Sequence, residues 1–388
     1  MAYLSGPAGV AALAEVSRLS LGDRTLLADV AAVRDRFGDH AAALIETTLL
    51  RRRAVAKLGD LASGWLFTDA ALQQATATAV AAHRAHRLAG LVVHDATCSI
   101  GTELAALRDT VKYLVGSDID GIRLAMARYN LGPDVPLCRA DALAPITAGS
   151  GVVVLLDPAR RSGGRRHFDP RAYIPPLDDV SDVYRGRATV VKCAPGIDFD
   201  AVRRLGFDGE IEVTSAGGSV REACLWSADL TPPGVRRRAT VLGGPLREEV
   251  HLTDADPDDC VTGAPGRWII DPDGAIVRAG LVRQYAHRHG LWQLDPDIAY
   301  LTGDVLPDGV RGFEVLDQLP LREKVLRQAL SARNCGSLEI LVRGVDVDPD
   351  ALRRRLRPSG SDPMSMVIMR SGSGAAARAV AFICRPSR

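Results

Sequence analysis

The chain has 388 residues, more than one ordinary core holds, so two or three domains are expected. A content of 47% hydrophobic and 24% charged residues, with a net charge of +1, fits a soluble globular protein and excludes a uniformly basic nucleic-acid binder. Cys98, Cys138, Cys193, Cys224, Cys260, Cys335 and Cys384 are scattered and form no C-x-x-C pair, which argues against a disulfide framework and against any metal site of the zinc type.

Residues 1–62 read as a helical N-terminal domain, Ala/Leu-rich and with Leu27, Val30, Val33 and Phe37 at helical spacing. Met1 to Val16 lacks a basic n-region and carries Glu15, so it does not read as a signal peptide. No apolar run reaches the ~18–20 residues of a membrane span, and a cytoplasmic protein without membrane contact is expected. Arg51-Arg52-Arg53 reads as a solvated helix face or an RNA contact. A second helical stretch is expected from Thr68-Asp69 to His86, capped by Thr68 or Asp69.

From here to about residue 230 the pattern is that of alternating strands and helices. The run Leu91–His94 ends in Asp95-Ala96-Thr97-Cys98-Ser99-Ile100-Gly101, and a helix follows. Tyr113–Ser117 ends in Asp118-Ile119, and a third strand precedes Asp141-Ala142. Val152–Leu156 delivers Asp157-Pro158-Ala159-Arg160, followed by a loop with Arg161, Arg165, Arg166, His167 and Arg171. Ala188–Lys192 is a fifth strand, and Glu210–Thr214 with Ala223–Trp226 look like a closing antiparallel pair. In doubly wound sheets ligands lie outside the carboxyl ends of the strands. The four acids therefore gather on one edge, where they accept hydrogen bonds from ribose hydroxyls and amines.

Thr231-Pro232-Pro233-Gly234 breaks the pattern, and residues 235–388 change character. Helices are expected over 276–289 and 321–330. The end reads β-α-β-β, over 338–342, 349–356, 364–369 and 379–383. Arg236-Arg237-Arg238 and Arg353-Arg354-Arg355 with Arg357 are basic patches.

The ordered set Asp95, Asp118, Asp141 and Asp157 resembles the class I S-adenosylmethionine (SAM)-dependent methyltransferases. Their turn after the first acid has glycines at the second, fourth and sixth following places, which here hold Thr97, Ser99 and Gly101. The resemblance implies an α/β fold with a Rossmann-like seven-stranded sheet over residues 63–230 and SAM as cofactor. It assigns Asp95, Thr97, Ser99, Gly101, Asp118, Ile119, Asp141 and Ala142 to cofactor binding, and Asp157 to the acceptor side. Asp157-Pro158-Ala159-Arg160, Cys193-Ala194-Pro195 and Glu222 are also similar to motifs of RNA uracil-C5 methyltransferases. That likeness implies catalytic roles for Asp157, Pro158, Arg160, a Cys193 nucleophile and a Glu222 base. From its residues alone Cys193 reads rather as a buried strand-end thiol, and Ala194 stands where that family has asparagine.

The whole chain resembles bacterial class I methyltransferases that end in a THUMP-like domain, with Phe67-Thr68, Leu72-Gln73-Gln74-Ala75, Asp271-Pro272-Asp273-Gly274, Arg343-Gly344 and the closing β-α-β carrying the likeness. This implies an RNA substrate methylated on a nucleobase. A methyltransferase for a small metabolite and a catalytically silent SAM-fold RNA-binding protein are the alternatives.

Overall fold

The apolar runs set out above all form strands, and their order in the sheet decides where a ligand can bind. The computed structural model describes residues 1–159, 161–162, 165–166, 169–243, 249–372 and 377–387, with the backbone alone at 161–162 and 165–166. Arg160 and His167 lie outside the described residues. The chain divides into two compact units, Met1–Glu210 with Glu222–Pro233, and Ile211–Arg221 with Gly234–Arg388.

The first unit opens with helices α1 (Pro7–Val16), α2 (Leu26–Phe37) and α3 (Ala41–Leu58). On α3, Leu44, Ala54 and Leu58 recur at helical spacing on one face and are fully buried. They share a core with Leu13, Val16, Phe67, Ile100, Leu104, Ala127 and Leu131. The helix expected from Thr68 to His86 is two helices, α4 (Asp69–Gln74) and α5 (Thr78–Arg87). Thr68 caps α4 by accepting from the Ala71 N–H at 3.1 Å. Ala75 and Ala77 are extended, and between them the Thr76 hydroxyl is taken by the Lys192 ammonium. A tertiary contact thus overrides the helical propensity of an alanine-rich run.

Strands β1 (Val92–Asp95), β2 (Tyr113–Asp118), β3 (Leu137–Arg139), β4 (Val152–Leu156) and β5 (Thr189–Cys193) pair in parallel, in the order β3-β2-β1-β4-β5. Helices α6 (Thr102–Leu107), α7 (Gly121–Leu131) and α8 (Leu177–Val183) make the crossovers that parallel pairing demands. Val93, Val153, Leu155 and Val190 are buried, as expected of central parallel strands covered on both faces. β6 (Gly209–Ala216) starts at the end of this unit, and β7 (Ser219–Ser227) runs antiparallel to β5. All seven strands expected from sequence are present. The order reverses between β1 and β4, which opens a crevice at their carboxyl ends.

In the second unit β8 (Arg237–Leu242) pairs in parallel with β6 and antiparallel with β9 (Val250–Thr253). A separate seven-stranded sheet follows, of β10 (Trp268–Ile270), β11 (Trp292–Asp295), β12 (Ile298–Gly303), β13 (Gly312–Pro320), β14 (Cys335–Arg343), β15 (Asp362–Ser371) and β16 (Arg378–Pro386), in the order β11-β12-β10-β13-β16-β15-β14. The expected helix over 276–289 is split into α9 (Gly274–Ala279) and α10 (Val282–His289). Gly280 adopts φ +69° there and ends α9, a left-handed position that glycine fills without a Cβ penalty. α11 (Glu323–Ala332) and α12 (Pro349–Leu356) pack Leu326, Leu330, Leu352 and Leu356 against Met364, Met366, Ile368 and Ile383. The closing β-α-β-β is β14-α12-β15-β16, parallel then antiparallel. No helix among the described residues is long and apolar enough to cross a membrane.

Candidate functional site

A cavity of about 390 Å³ opens at the carboxyl ends of β1, β2 and β4, within the usual size range of small-molecule sites. Asp95, Asp118, Asp141 and Asp157 all line it. So do Thr97, Ser99, Ile119 and Ala142.

Each acid is set by its local backbone. Asp118 ends β2, and its two oxygens accept from the N–H groups of Ser99 at 2.9 Å and Asp120 at 2.8 Å. This pins the β1 turn to β2. Ser99 takes φ +50°, the conformation that a glycine at this place supplies more cheaply, and Asp118 holds it there. Thr97, at the other place where glycine was expected, accepts a hydrogen bond from the Asp157 N–H at 2.6 Å. Gly101 keeps φ +92°, and a Cβ on it would meet Leu131 Cδ1 at 2.7 Å. Gly101 therefore shapes the turn without forming the cavity wall. Asp141 is exposed and accepts from the Leu143 N–H at 2.9 Å. Asp95 is 2% exposed and accepts from the Thr97 N–H at 3.2 Å. Burial, then the nearby Glu103, push its carboxyl up to about 8, against the Thr97 N–H and Lys192, which pull it down.

Behind the cavity lies a buried chain of charges. Lys192 Nζ is 2.6 Å from Asp157 Oδ2, 3.2 Å from Glu103 Oε1 and 2.5 Å from Thr76 Oγ1. Arg84, 1% exposed, binds Glu103 at 3.2 Å and Glu222 at 2.7 Å. Burial alone would raise the Glu103 carboxyl, but Arg84 and Lys192 together outweigh it and hold it at about 2. Burial disfavours the Lys192 ammonium, yet Asp157 and Glu103 raise its pKa above the usual lysine range. These pairings satisfy the rule that buried charge is paired charge.

Three residues assigned to catalysis, Pro158, Cys193 and Glu222, are not brought to the cavity. Cys193 is fully buried, and its thiol points to the Val191 carbonyl at 3.8 Å. Successive strand residues face opposite ways, so Lys192 reaches the cavity and Cys193 does not. Glu222 is 5% exposed and occupied by Arg84, away from the cavity wall. Pro158 also does not line the wall, although Ala159 does. Sequence reasoning missed Gln74, Ala75, Thr76, Glu103 and Lys192. The break between α4 and α5 brings Gln74 and Ala75 to the wall, and Glu103 and Lys192 also line it. A charged residue ending an apolar strand on the acid-rich edge was the one signal for Lys192.

The wall suits a nucleoside carrying positive charge. It offers carboxylates, apolar Ile119, Ala142 and Leu143, and the Ser99 hydroxyl, which is buried and has no hydrogen-bond partner among the described residues.

Residues 310–386 match the THUMP domain-like family, and residues 1–54 match a domain family of unknown function, DUF8688. The chain is 62% identical, over 92% of its length and 100% of theirs, to uncharacterized S-adenosylmethionine-dependent methyltransferases of two Mycobacterium tuberculosis strains, CDC 1551 and H37Rv. It also resembles the crystal structure of a Porphyromonas gingivalis W83 protein assigned as a methyltransferase, with TM-score 0.73 and 20% identity over 90% of this chain and 91% of that one.

Proposed function

The chain belongs to the S-adenosylmethionine-dependent methyltransferases, and from that premise we propose that it methylates a nucleobase in RNA. The observation that carries the methyltransferase part of the reading is the convergence of Asp95, Asp118, Asp141 and Asp157 on one cavity. In it Asp118 accepts from the ribose hydroxyls, with Ile119 beside it, and Asp141 and Ala142 meet the adenine. Asp95, Thr97 and Ser99 face the methionine end, and Gly101 shapes the turn that carries them. The cofactor supplies an electrophilic methyl group on a sulfonium. The protein's part is to hold the acceptor in line with that methyl and to keep carboxylates near the positive charge.

Asp157 forms the acceptor side, with Ala159, Ile174 and Pro175 next to it on the wall. RNA as the acceptor is supported by the THUMP domain-like match and by the basic segment after Asp157. Arginines flanking an acceptor pocket suit phosphate contacts that position RNA without reading its sequence. The covalent pyrimidine-C5 route draws no support from the geometry, because neither Cys193 nor Glu222 lines the cavity.

The test is transfer of tritium from methyl-labelled SAM to total RNA from a strain lacking the gene. Label in RNA supports the proposal. Label only in the small-molecule fraction of a cell extract replaces it with a metabolite methyltransferase. Absence of SAM binding by calorimetry leaves a silent RNA-binding module.

A further inference from the structure

Lys192 is one of only four lysines among the 48 Lys+Arg residues, and the only one of them buried. Its side chain is 4% exposed at the end of β5, where the sheet edge meets the cavity. An ammonium has three N–H donors. Here the hydroxyl of Thr76, the Asp157 carboxylate and the Glu103 carboxylate lie within 2.5, 2.6 and 3.2 Å. Two donors are taken by Thr76 and Asp157, and the charge is paired with Glu103 as well, so Lys192 acts through its neighbour Asp157. Glu103 is anchored from behind by Arg84, which Glu222 anchors in turn. The anchored ammonium grips Oδ2 of Asp157, the network member with the most exposed side chain at 23%. The Asp157 backbone N–H is fixed independently by Thr97. Backbone and side chain of one residue are thus both held, the arrangement needed to keep a functional group within a fraction of an ångström.

We propose that Lys192 is a positioning residue for methyl transfer, which fixes Asp157 so that its carboxylate holds an N–H or O–H of the methyl-accepting group. This deepens the reading above and rests on it for Asp157 as the acceptor-side residue. A carboxylate with no proton can only accept hydrogen bonds. The proposal places that N–H or O–H on the accepting atom itself, which is then a heteroatom and not a carbon. Its lone pair forms the bond to the methyl carbon while the carbon–sulfur bond breaks, with that electron pair staying on sulfur. The heteroatom's proton then leaves to water.

The experiment compares wild type with Lys192→Met, Lys192→Arg, Thr76→Val and Asp157→Ala. SAM binding is followed by calorimetry and methyl transfer by the assay on gene-deletion RNA. Lys192→Met is expected to lose about 100-fold in kcat while SAM affinity changes less than about 3-fold, the split expected of a group that acts in the transition state. Lys192→Arg should recover about tenfold of that loss, since it restores the positive charge. Thr76→Val is the milder variant, needed because methionine leaves the Asp157 carboxylate without its cation and Glu103 with Arg84 alone. It should lower kcat by about tenfold at unchanged SAM affinity. Transfer by folded Lys192→Met within about 3-fold of wild type overturns the proposal, as do equal losses of SAM affinity and kcat, which mark a purely structural lysine. So does a methyl group found on carbon. Wild type that labels no RNA defeats the RNA reading alone. Crystal structures of wild type and Lys192→Met then decide the role of Lys192. A displaced Asp157 carboxylate upholds it, and an unmoved one overturns it.

Discussion

The Thr97 hydroxyl accepts a hydrogen bond at 2.6 Å from the backbone N–H of Asp157, joining the first turn of the sheet to the acceptor motif 60 residues later. A glycine at position 97 could not make this bond. Thr97→Val keeps the shape but leaves the part-buried Asp157 N–H without its acceptor, which costs on the order of 1 kcal/mol. The expected outcome is a lower Tm by scanning calorimetry and a larger fractional loss in methyl transfer than in SAM affinity. An unchanged Tm and rate would make the contact dispensable.

Asp118 serves the loop and the proposed cofactor at once. Asp118→Ala frees the N–H groups of Ser99 and Asp120 and removes the proposed ribose acceptor. SAM affinity should fall by about 100-fold, or roughly 3 kcal/mol. Calorimetric titration measures it directly. Asp118→Asn keeps one carbonyl acceptor and should lose less.

Asp95 gives a pH dependence whose sign is fixed. Its folded pKa of about 8 lies above the unfolded value of about 4. Between these values the native state binds the proton and the unfolded chain does not, so stability falls as pH rises across that window. Below about pH 4 both states are protonated, and this penalty vanishes. Asp95→Asn is therefore expected to raise Tm at pH 8 and leave it unchanged near pH 4. SAM brings a sulfonium charge that favours the ionised carboxylate, so its affinity should climb from pH 6 to pH 9. Flat affinity across that range contradicts the assignment of Asp95.

Cys193→Ala should keep methyl transfer and cost on the order of 1 kcal/mol of stability, as for a small buried side chain. RNA containing 5-fluoropyrimidines should not trap the enzyme covalently. Loss of all turnover in the alanine variant, with SAM binding intact, would reinstate the thiolate route.

Much of the fold was legible because it is written locally. Short apolar runs, each followed by an acid, marked β1, β2 and β4 and the edge where the cavity lies. Gly280 and the Thr76 break were not placed, although each has a physical cause. Gly280 looks like any glycine inside a helical pattern until its φ is known. Thr76 leaves the helix because a lysine 116 residues later binds its hydroxyl. The same distance hid the charge network, since the Lys192 contact to Asp157 spans 35 residues and the Arg84 contact to Glu222 spans 138. Adjacency in the chain is also not proximity in the site. Lys192 and Cys193 are neighbours in sequence, yet strand alternation turns them to opposite faces, so the lysine serves a carboxylate and not the thiol.

The most direct test of the central claim is mass spectrometry of nucleosides from the total RNA of a gene-deletion strain, complemented with wild type or with Asp157→Ala. One methylated nucleoside should be missing from the deletion strain, restored by wild type and not by Asp157→Ala, with the methyl group on nitrogen or oxygen. Identical nucleoside profiles in all strains would contradict RNA as the substrate.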